Sequence, residues 1–193
     1  MTHLIYLAPN GESERFEDES LIGVPSLNFD VMRSRSHIGR RWYQAHEELA
    51  REDSRMLSLM ELTEFLRYAR DHHPEVYGSV TEIGGSWRGE WIDALFEQRD
   101  DGLYIITRMN PLGEKLDEAT LRKRGKISLD GWIDNPTPQG LPRADVSEGN
   151  LNYFDPRDGD VFWLGAGTGK IDLACGRPSI GGPGFGVRPA KRK

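Results

Sequence analysis

Cysteine is almost absent from this chain, which holds a single one, Cys175, among 193 residues. An intrachain disulfide and a zinc site built on several thiolates are therefore excluded. Long apolar runs are missing as well, since no stretch approaches the roughly 20 residues that a membrane-spanning helix needs. A surplus of positive charge is also absent, because the formal net charge is -6. The composition thus argues against a general nucleic-acid-binding protein and predicts no membrane span.

The first residues, "MTHLIYLAPNGE", hold a short apolar run without a basic leader or a site that resembles a cleavage site. This pattern predicts a first β-strand over 3–8 and no signal peptide. It therefore favours a cytoplasmic or virion-associated protein. The length of 193 residues fits a single domain over 1–193. The terminal "KRK" is interpreted as a solvated tail, so no nucleic-acid partner is predicted.

Helix signals lie in the first half of the chain. Apolar residues recur every three or four positions over 37–52 and predict one amphipathic helix. Ser58 and Glu61 have the spacing of a capping box, and the apolar stripe behind them predicts a second helix that ends at Pro74. A brief third helix is expected from Ser128.

Strand signals dominate the second half. "WRGEWIDALFE" and "GLYIITRM", joined across an Asp-Gly turn, predict a β-hairpin. "DVFWLGAG", "KIDLAC" and "FGVRPA" predict three further short strands between Gly-rich turns. Early helices followed by late strands predict an α+β fold with the helices packed on one side of a small, mostly antiparallel sheet.

The motif "GAGTGK" at 165–170 looks like a phosphate-binding loop, but its spacing is wrong for one. Leu164 stands where the first glycine is required, and Ile171 replaces the Ser or Thr that holds magnesium. The motif also falls between two predicted strands, so no helix N-terminus follows to receive a phosphate. A phosphate-loop function is therefore rejected.

Oxygen ligands are dense in "DPRDGD", which places Asp155, Asp158 and Asp160 close together after two asparagines. Such a group could hold calcium. The spacing does not match an EF-hand loop, and aspartates of this kind commonly cap turns. The turn interpretation is favoured, and a divalent-metal-dependent enzyme that uses these aspartates stays open as an alternative.

Other catalytic signals are weak. No serine lies in a Gly-x-Ser-x-Gly elbow, and Cys175 fits a buried strand position. Glu90 and Asp93 could form a pair of carboxylates aimed into a cleft, but a chain with 31 acidic residues offers such pairs by chance. His72 and His73 end the second helix, where a cation suits the helix dipole. The residues alone therefore predict no catalysis, no metal and no cofactor.

The end of the chain carries a resemblance. Trp163 on a predicted strand precedes a terminal "GFGVRPA", and this pattern resembles the last strands of C-type-lectin-fold domains of the formylglycine-generating-enzyme type. In that fold the two chain ends meet, so the resemblance implies that the strand over 3–8 pairs with 185–190. The oxidases of that superfamily use two cysteines, and Cys175 alone does not support their chemistry.

The non-enzymatic branch of the superfamily includes the variable proteins of diversity-generating retroelements, found in phages, bacteria and archaea. They end in similar strands and display diversified side chains near the C-terminus. The resemblance implies a ligand-binding display protein, without catalysis, for an unknown protein or glycan ligand. Its recognition segment is expected at about 153–181. The expected ligand-binding positions are Tyr153, Asp155, Leu164, Ala166, Thr168, Ser179 and Ile180.

Two groups of side chains should then behave differently. Trp163 and Phe185 are predicted to be frame residues on buried strand positions, together with Val187. Thr168, Ser179 and Ile180 are predicted to be exposed. A structural module of a virus or cell is the second alternative that stays open.

Overall fold

The computed structural model describes residues 20–193. The predicted strand over 3–8, and its pairing with the end of the chain, lie outside the described residues. Within 20–193 no helix is long and apolar enough to cross a membrane. The mixed helix and sheet architecture that the sequence predicts is confirmed.

The helices are α1 (Trp42–Arg51), α2 (Leu59–His72), α3 (Pro74–Thr81), α4 (Leu129–Asp134) and a 3-10 helix (Glu118–Thr120). The strands are β1 (Leu21–Gly23), β2 (Phe29–Met32), β3 (Ser54–Arg55), β4 (Arg88–Arg99), β5 (Gly102–Thr107), β6 (Asn110–Lys115), β7 (Gly125–Ile127), β8 (Leu151–Tyr153), β9 (Val161–Gly167), β10 (Lys170–Gly176), β11 (Phe185–Gly186) and β12 (Ala190–Arg192).

Helix α2 begins as its capping box predicts. The Ser58 hydroxyl accepts the Glu61 N–H at 3.4 Å, and the Glu61 carboxylate accepts the Ser58 N–H at 2.9 Å. Pro74 ends α2 but also starts α3, because a proline in the first turn of a helix loses no hydrogen bond. Helix α1 begins only at Trp42, since His37 and Gly39 before it have positive φ angles of 52° and 83°.

Two sheets are formed. The larger has eight strands in the order β6-β5-β4-β9-β10-β8-β7, with β11 beside β4, and the smaller has the order β1-β2-β12-β3. The β8–β10 and β4–β11 pairs are parallel, and the remaining pairs of named strands are antiparallel. The larger sheet is therefore mostly antiparallel, as predicted, but it is not small.

The core is divided between the two faces of β9. Phe162, Leu164 and Ala166 face one cluster, here called the main core, which also contains the apolar faces of α2, α3 and α4. Val161 lies in a second core with α1, and Trp163 packs against that second core. The helices therefore do not share one side of the sheet, which differs from the expectation. With both faces covered, β9 leaves only part of Trp163 accessible to solvent.

The end of the chain is held between early segments. Strand β12 pairs with β2 on one edge and with β3 on the other. Pro189 has no N–H to donate, and it joins the pairing through its carbonyl oxygen, which accepts the Met32 N–H at 2.9 Å. Arg188 is 3% exposed and donates to both carboxylate oxygens of Glu90, at 2.8 and 3.1 Å. The terminal strand is therefore an integral part of the fold.

Candidate functional site

Three of the expected ligand-binding positions are buried. Tyr153, Leu164 and Ala166 are each 1% exposed and belong to the main core. The expectation that they display side chains to a ligand is wrong for this reason. Leu164 and Ala166 lie on β9, where the sequence gives no polar alternation to mark a solvent-facing side, and Tyr153 lies on β8.

The other expected positions are accessible but do not lie together. Thr168, Ser179 and Ile180 are exposed, and Asp155 is half-buried. Thr168 and Gly169 form the β9–β10 turn with positive φ angles of 53° and 82°, as a tight hairpin requires. The seven residues of β10 separate this turn from Ser179 and Ile180. The "GAGTGK" motif is therefore a hairpin turn, as its rejection as a phosphate loop implied.

Four aromatic rings pack against one another, and one of them, Phe185, comes from the segment that follows β10. They are here called the aromatic cluster: Trp87, Trp91, Trp163 and Phe185. The Trp91 and Phe185 rings stack with centroids 4.2 Å apart, and Trp163 meets each of them edge-on at 5.6 and 5.5 Å. Phe185 is 7% exposed and Val187 is fully buried, which confirms them as frame residues. Trp163 is only half-buried, so part of its indole faces solvent.

Trp87 lies on a seat made of glycines. A Cβ atom added at Gly89, Gly165 or Gly184 would lie 2.8, 3.2 or 2.7 Å from its ring. Those distances are at or below the closest approach of ordinary packing. The three glycines therefore let the strands and the terminal segment pack directly against the indole.

A groove of about 440 Å³, here called the C-terminal groove, lies beside this segment. One wall belongs to the expected recognition segment, and the other comes from α1 and β4. Arg177 crosses over Gly159, and its Nη1 donates to the Asp158 carbonyl oxygen at 3.2 Å. The lining residues are Tyr43, Leu95, Phe96, Glu97, Asp158, Gly159, Arg177, Pro178 and Ser179.

A second cavity of about 430 Å³, here called the Asp93 pocket, shares Tyr43 and Leu95 with that groove. Asp93 is 1% exposed, and its Oδ2 accepts the Arg108 N–H at 2.9 Å. Its Oδ1 lies 3.4 Å from His46 Nε2, but the two groups are not aligned for a hydrogen bond. Each of these two buried atoms is therefore left without a hydrogen-bond partner.

The aspartates of "DPRDGD" do not form a metal site in residues 20–193, where no group of three or more His, Cys, Asp or Glu side chains could hold an ion. The Asp158 carboxylate accepts the Gln98 N–H at 2.9 Å, as a turn residue does. Glu90 and Asp93 do not act as a pair either, because Glu90 is bound to Arg188. The ligand set of the metal-enzyme alternative is thus missing from this part of the chain.

Cys175 is not an activated nucleophile. Burial is the main cause that raises the pKa of its thiol to about 12, and Asp160 raises it further. The thiol donates to the Asp155 carbonyl oxygen at 3.4 Å. A thiol in this state carries little thiolate near neutral pH, which leaves it unreactive.

No family model, no curated protein and no solved structure matches the chain.

The sequence analysis does not predict the Asp93 pocket, because it treats Asp93 only as a partner of Glu90. One signal could have found it. The apolar strand "WIDALF" carries a single ionisable residue, and a carboxylate in such a strand needs a reason to be buried.

Proposed function

We propose that this chain is a non-enzymatic ligand-binding display protein on a C-type-lectin-like scaffold. The observation that carries the proposal is the C-terminal groove. Five of its lining residues, from Asp158 to Ser179, fall inside the segment at 153–181 that the resemblance implies for recognition. The chain's end resembles the variable proteins of diversity-generating retroelements. This resemblance implies that the groove displays diversified side chains to a ligand.

The scaffold beneath this groove is suited to display. The aromatic cluster and its glycine seat lie under the terminal segment, and the buried Arg188–Glu90 pair fastens that segment to β4. Stability therefore resides in buried groups, whereas Ser179 and Ile180 are exposed. Exposed side chains can vary at little cost in folding free energy, about half a kcal/mol each.

The groove offers mixed chemistry for a protein or glycan surface. Tyr43 is 52% exposed and presents an aromatic ring with a polar tip. Glu97 and Asp158 bring negative charge to the walls, and Arg177 brings positive charge. Such a surface suits ligands with both apolar patches and hydrogen-bonding groups. Thr168 at the far hairpin is not part of it.

A surface-display library tests the proposal. Varying Arg177 and Ser179 in the groove together with the adjacent Ile180 of the expected recognition segment should yield folded proteins, and selection against a panel of purified proteins and glycans should enrich specific binders. A matched library at Lys123, Lys126 and Glu148, which lie outside both the groove and the segment at 153–181, should enrich none. Equal enrichment from both libraries contradicts a dedicated recognition segment.

The retroelement origin has its own test in the neighbouring DNA. A reverse-transcriptase gene and a near-copy of the 3′ coding region are expected beside this gene. A locus without both contradicts diversification by a retroelement, while the binding experiment decides the display function separately.

A further inference from the structure

We propose that a cavity lined by arginines binds a compact phosphate monoester. This is a second binding site, beyond the proposed display function, and it rests on guanidinium groups that meet without enough carboxylates to balance them. The cavity, here called the arginine cavity, has a volume of about 570 Å³ and lies between the chain that follows β2, helix α3 and the start of β4. Its charged lining residues are Arg33, Arg35, Arg88, Arg188, Glu75 and Glu82.

Two of the four guanidinium groups are held by backbone carbonyl oxygens instead of carboxylates. Arg35 Nη1 donates to the carbonyl oxygens of Gly89 and Gly184, at 3.1 and 2.8 Å. Arg88 donates from Nε and Nη2 to three carbonyl oxygens at the C-terminal end of α3, within 78–82. These bonds fix the positions of both guanidinium groups, but they leave the two positive charges without a counterion.

The other two arginines of the cavity are paired. Within residues 20–193, Arg33 lies 2.9 Å from a Glu75 carboxylate oxygen, and Arg188 lies 2.8 Å from one of Glu90. Neither carboxylate is shared with Arg35 or Arg88 at ion-pair distance. The charge available to a ligand therefore comes from Arg35 and Arg88.

Donor atoms of these two residues remain open to solvent. Arg35 and Arg88 are both half-buried. In the part of the chain that the structure describes, Arg35 Nε, Arg35 Nη2 and Arg88 Nη1 donate no hydrogen bond, and none of the three is a buried atom. A solute in the cavity can therefore accept N–H groups from both arginines.

The local electrostatics also favour an anion here. Burial is the largest cause that lowers the pKa of Arg35, and although Glu90 raises this pKa, Arg88 and Arg188 lower it further. A lowered pKa means that the charged guanidinium is less stable at this place than in water. An anion that contacts Arg35 and Arg88 would offset both the burial and the repulsion between them.

The chemistry of the donors selects the anion. Guanidinium groups match phosphate oxygens in two-pronged hydrogen bonds, and a phosphate monoester carries nearly two negative charges on three acceptor oxygens. Arg35 and Arg88 come from different elements, which suits a tetrahedral group better than a planar carboxylate. Glu75 and Glu82 are exposed at the same cavity and repel an extended polyanion such as a nucleic acid. The preferred ligand is thus a small molecule with a single phosphate.

Calorimetry on the full chain with inorganic phosphate and methyl phosphate as probes tests this inference. At constant low ionic strength we expect millimolar or tighter binding of both probes, and weaker binding of acetate. Arg88→Gln should weaken phosphate binding by about tenfold or more, because it removes a charge-assisted hydrogen bond. Arg122→Gln is the matched control and should leave the affinity unchanged, since Arg122 is also half-buried and donates to a carbonyl oxygen, that of Ala144 at 3.4 Å, but lies outside the cavity.

A second variant keeps the test decisive if Arg88→Gln fails to fold. Glu82 is exposed, and its carboxylate accepts no hydrogen bond within residues 20–193, so Glu82→Gln should fold normally. It should bind phosphate severalfold more tightly, because it removes a repelling charge from the cavity.

Four results would each overturn the proposal: no phosphate binding to the unaltered chain, acetate binding as tight as that of phosphate, a folded Arg88→Gln protein with unchanged affinity, or a Glu82→Gln protein that binds no more tightly. The arginine cavity shares no lining residue with the C-terminal groove. These outcomes therefore leave the display proposal to its own test.

Discussion

Arg188 is the side chain that fixes the end of the chain to the sheet. Its guanidinium reaches Glu90, which lies 98 residues earlier, and it also donates to the carbonyl oxygens of Met32 and Arg33. Both members of the pair are almost fully buried, at 3% and 4% exposure. Removing one partner leaves the other charge uncompensated in a low-dielectric site. The resemblance to lectin-type strands covers the "GFGVRPA" segment that contains Arg188, but the sequence could not identify Glu90 as the partner of this arginine.

Glu90→Gln should therefore lower the free energy of unfolding by about 3–5 kcal/mol. Urea denaturation monitored by circular dichroism measures this loss. Arg188→Met combined with Glu90→Leu should cost less than the two single changes added together, since the double variant leaves no unpaired charge. Arg143→Ala, which removes an exposed ion pair with Asp145, is the control and should hardly move the midpoint. A Glu90→Gln protein as stable as that control would contradict the argument.

Asp93 shows what residue-level sequence reasoning misses. The chain offers 31 acidic residues, and nothing local distinguishes this one from the rest. Its significance comes from α1, which brings His46 and Trp42 over β4 from far along the chain. Burial, not spacing, sets it apart from most of the other acidic residues.

At the scale of elements, local signals were sufficient where caps and turns decide the structure. The capping residues Ser58 and Ser128 start α2 and α4 as predicted, and the Asp-Gly turn closes the β4–β5 hairpin. Helix α3 was missed because Pro74 was interpreted only as a stop signal. Strand β9 was misjudged because its two faces are covered by partners from distant parts of the sequence.

The glycine seat of Trp87 gives a prediction for one element contact. Gly184→Ala would place a Cβ 2.7 Å from the indole, so it should cost about 1–3 kcal/mol of stability through overpacking. Gly78→Ala is the matched change, because Gly78 is inside α3 with nothing within 4 Å of an added Cβ. It should stabilise the protein by about 0.5–1 kcal/mol. Thermal melts of both variants decide this, and a Gly184→Ala protein that melts no earlier than the unaltered chain would refute the packing role.

At the scale of the whole molecule, the class of fold followed from the order of helix and strand signals, but the topology did not. Strand β12 lies between β2 and β3, and β11 lies beside β4. Each pairing joins segments that lie far apart in the sequence, and no local pattern specifies such a pairing. The size of the eight-stranded sheet and the placement of α1 and α2 in different cores also depend on contacts between segments that are far apart in the sequence.

The same topology separates the residues that hold the fold from those that can vary. The exposed triple variant combines Ser179→Tyr with changes of Thr168 and Ile180 to Ser or Tyr. It should shift the melting temperature only slightly, because exposed positions contribute about half a kcal/mol each. Changing Tyr153, Leu164 and Ala166 together to Ser should unfold the protein. Truncation of one large buried side chain costs about 2–5 kcal/mol, and two such losses approach the 5–15 kcal/mol that stabilises a typical domain.

Circular dichroism melts of both triple variants, with Phe185→Ala as a third sample, measure this division. Phe185 is 7% exposed and stacks on Trp91, so its truncation should be about as costly as that of a core residue. If the exposed triple variant unfolds while Phe185→Ala is tolerated, the terminal segment is itself core. A recognition surface could not then change without loss of the fold, and the display function would fail on physical grounds.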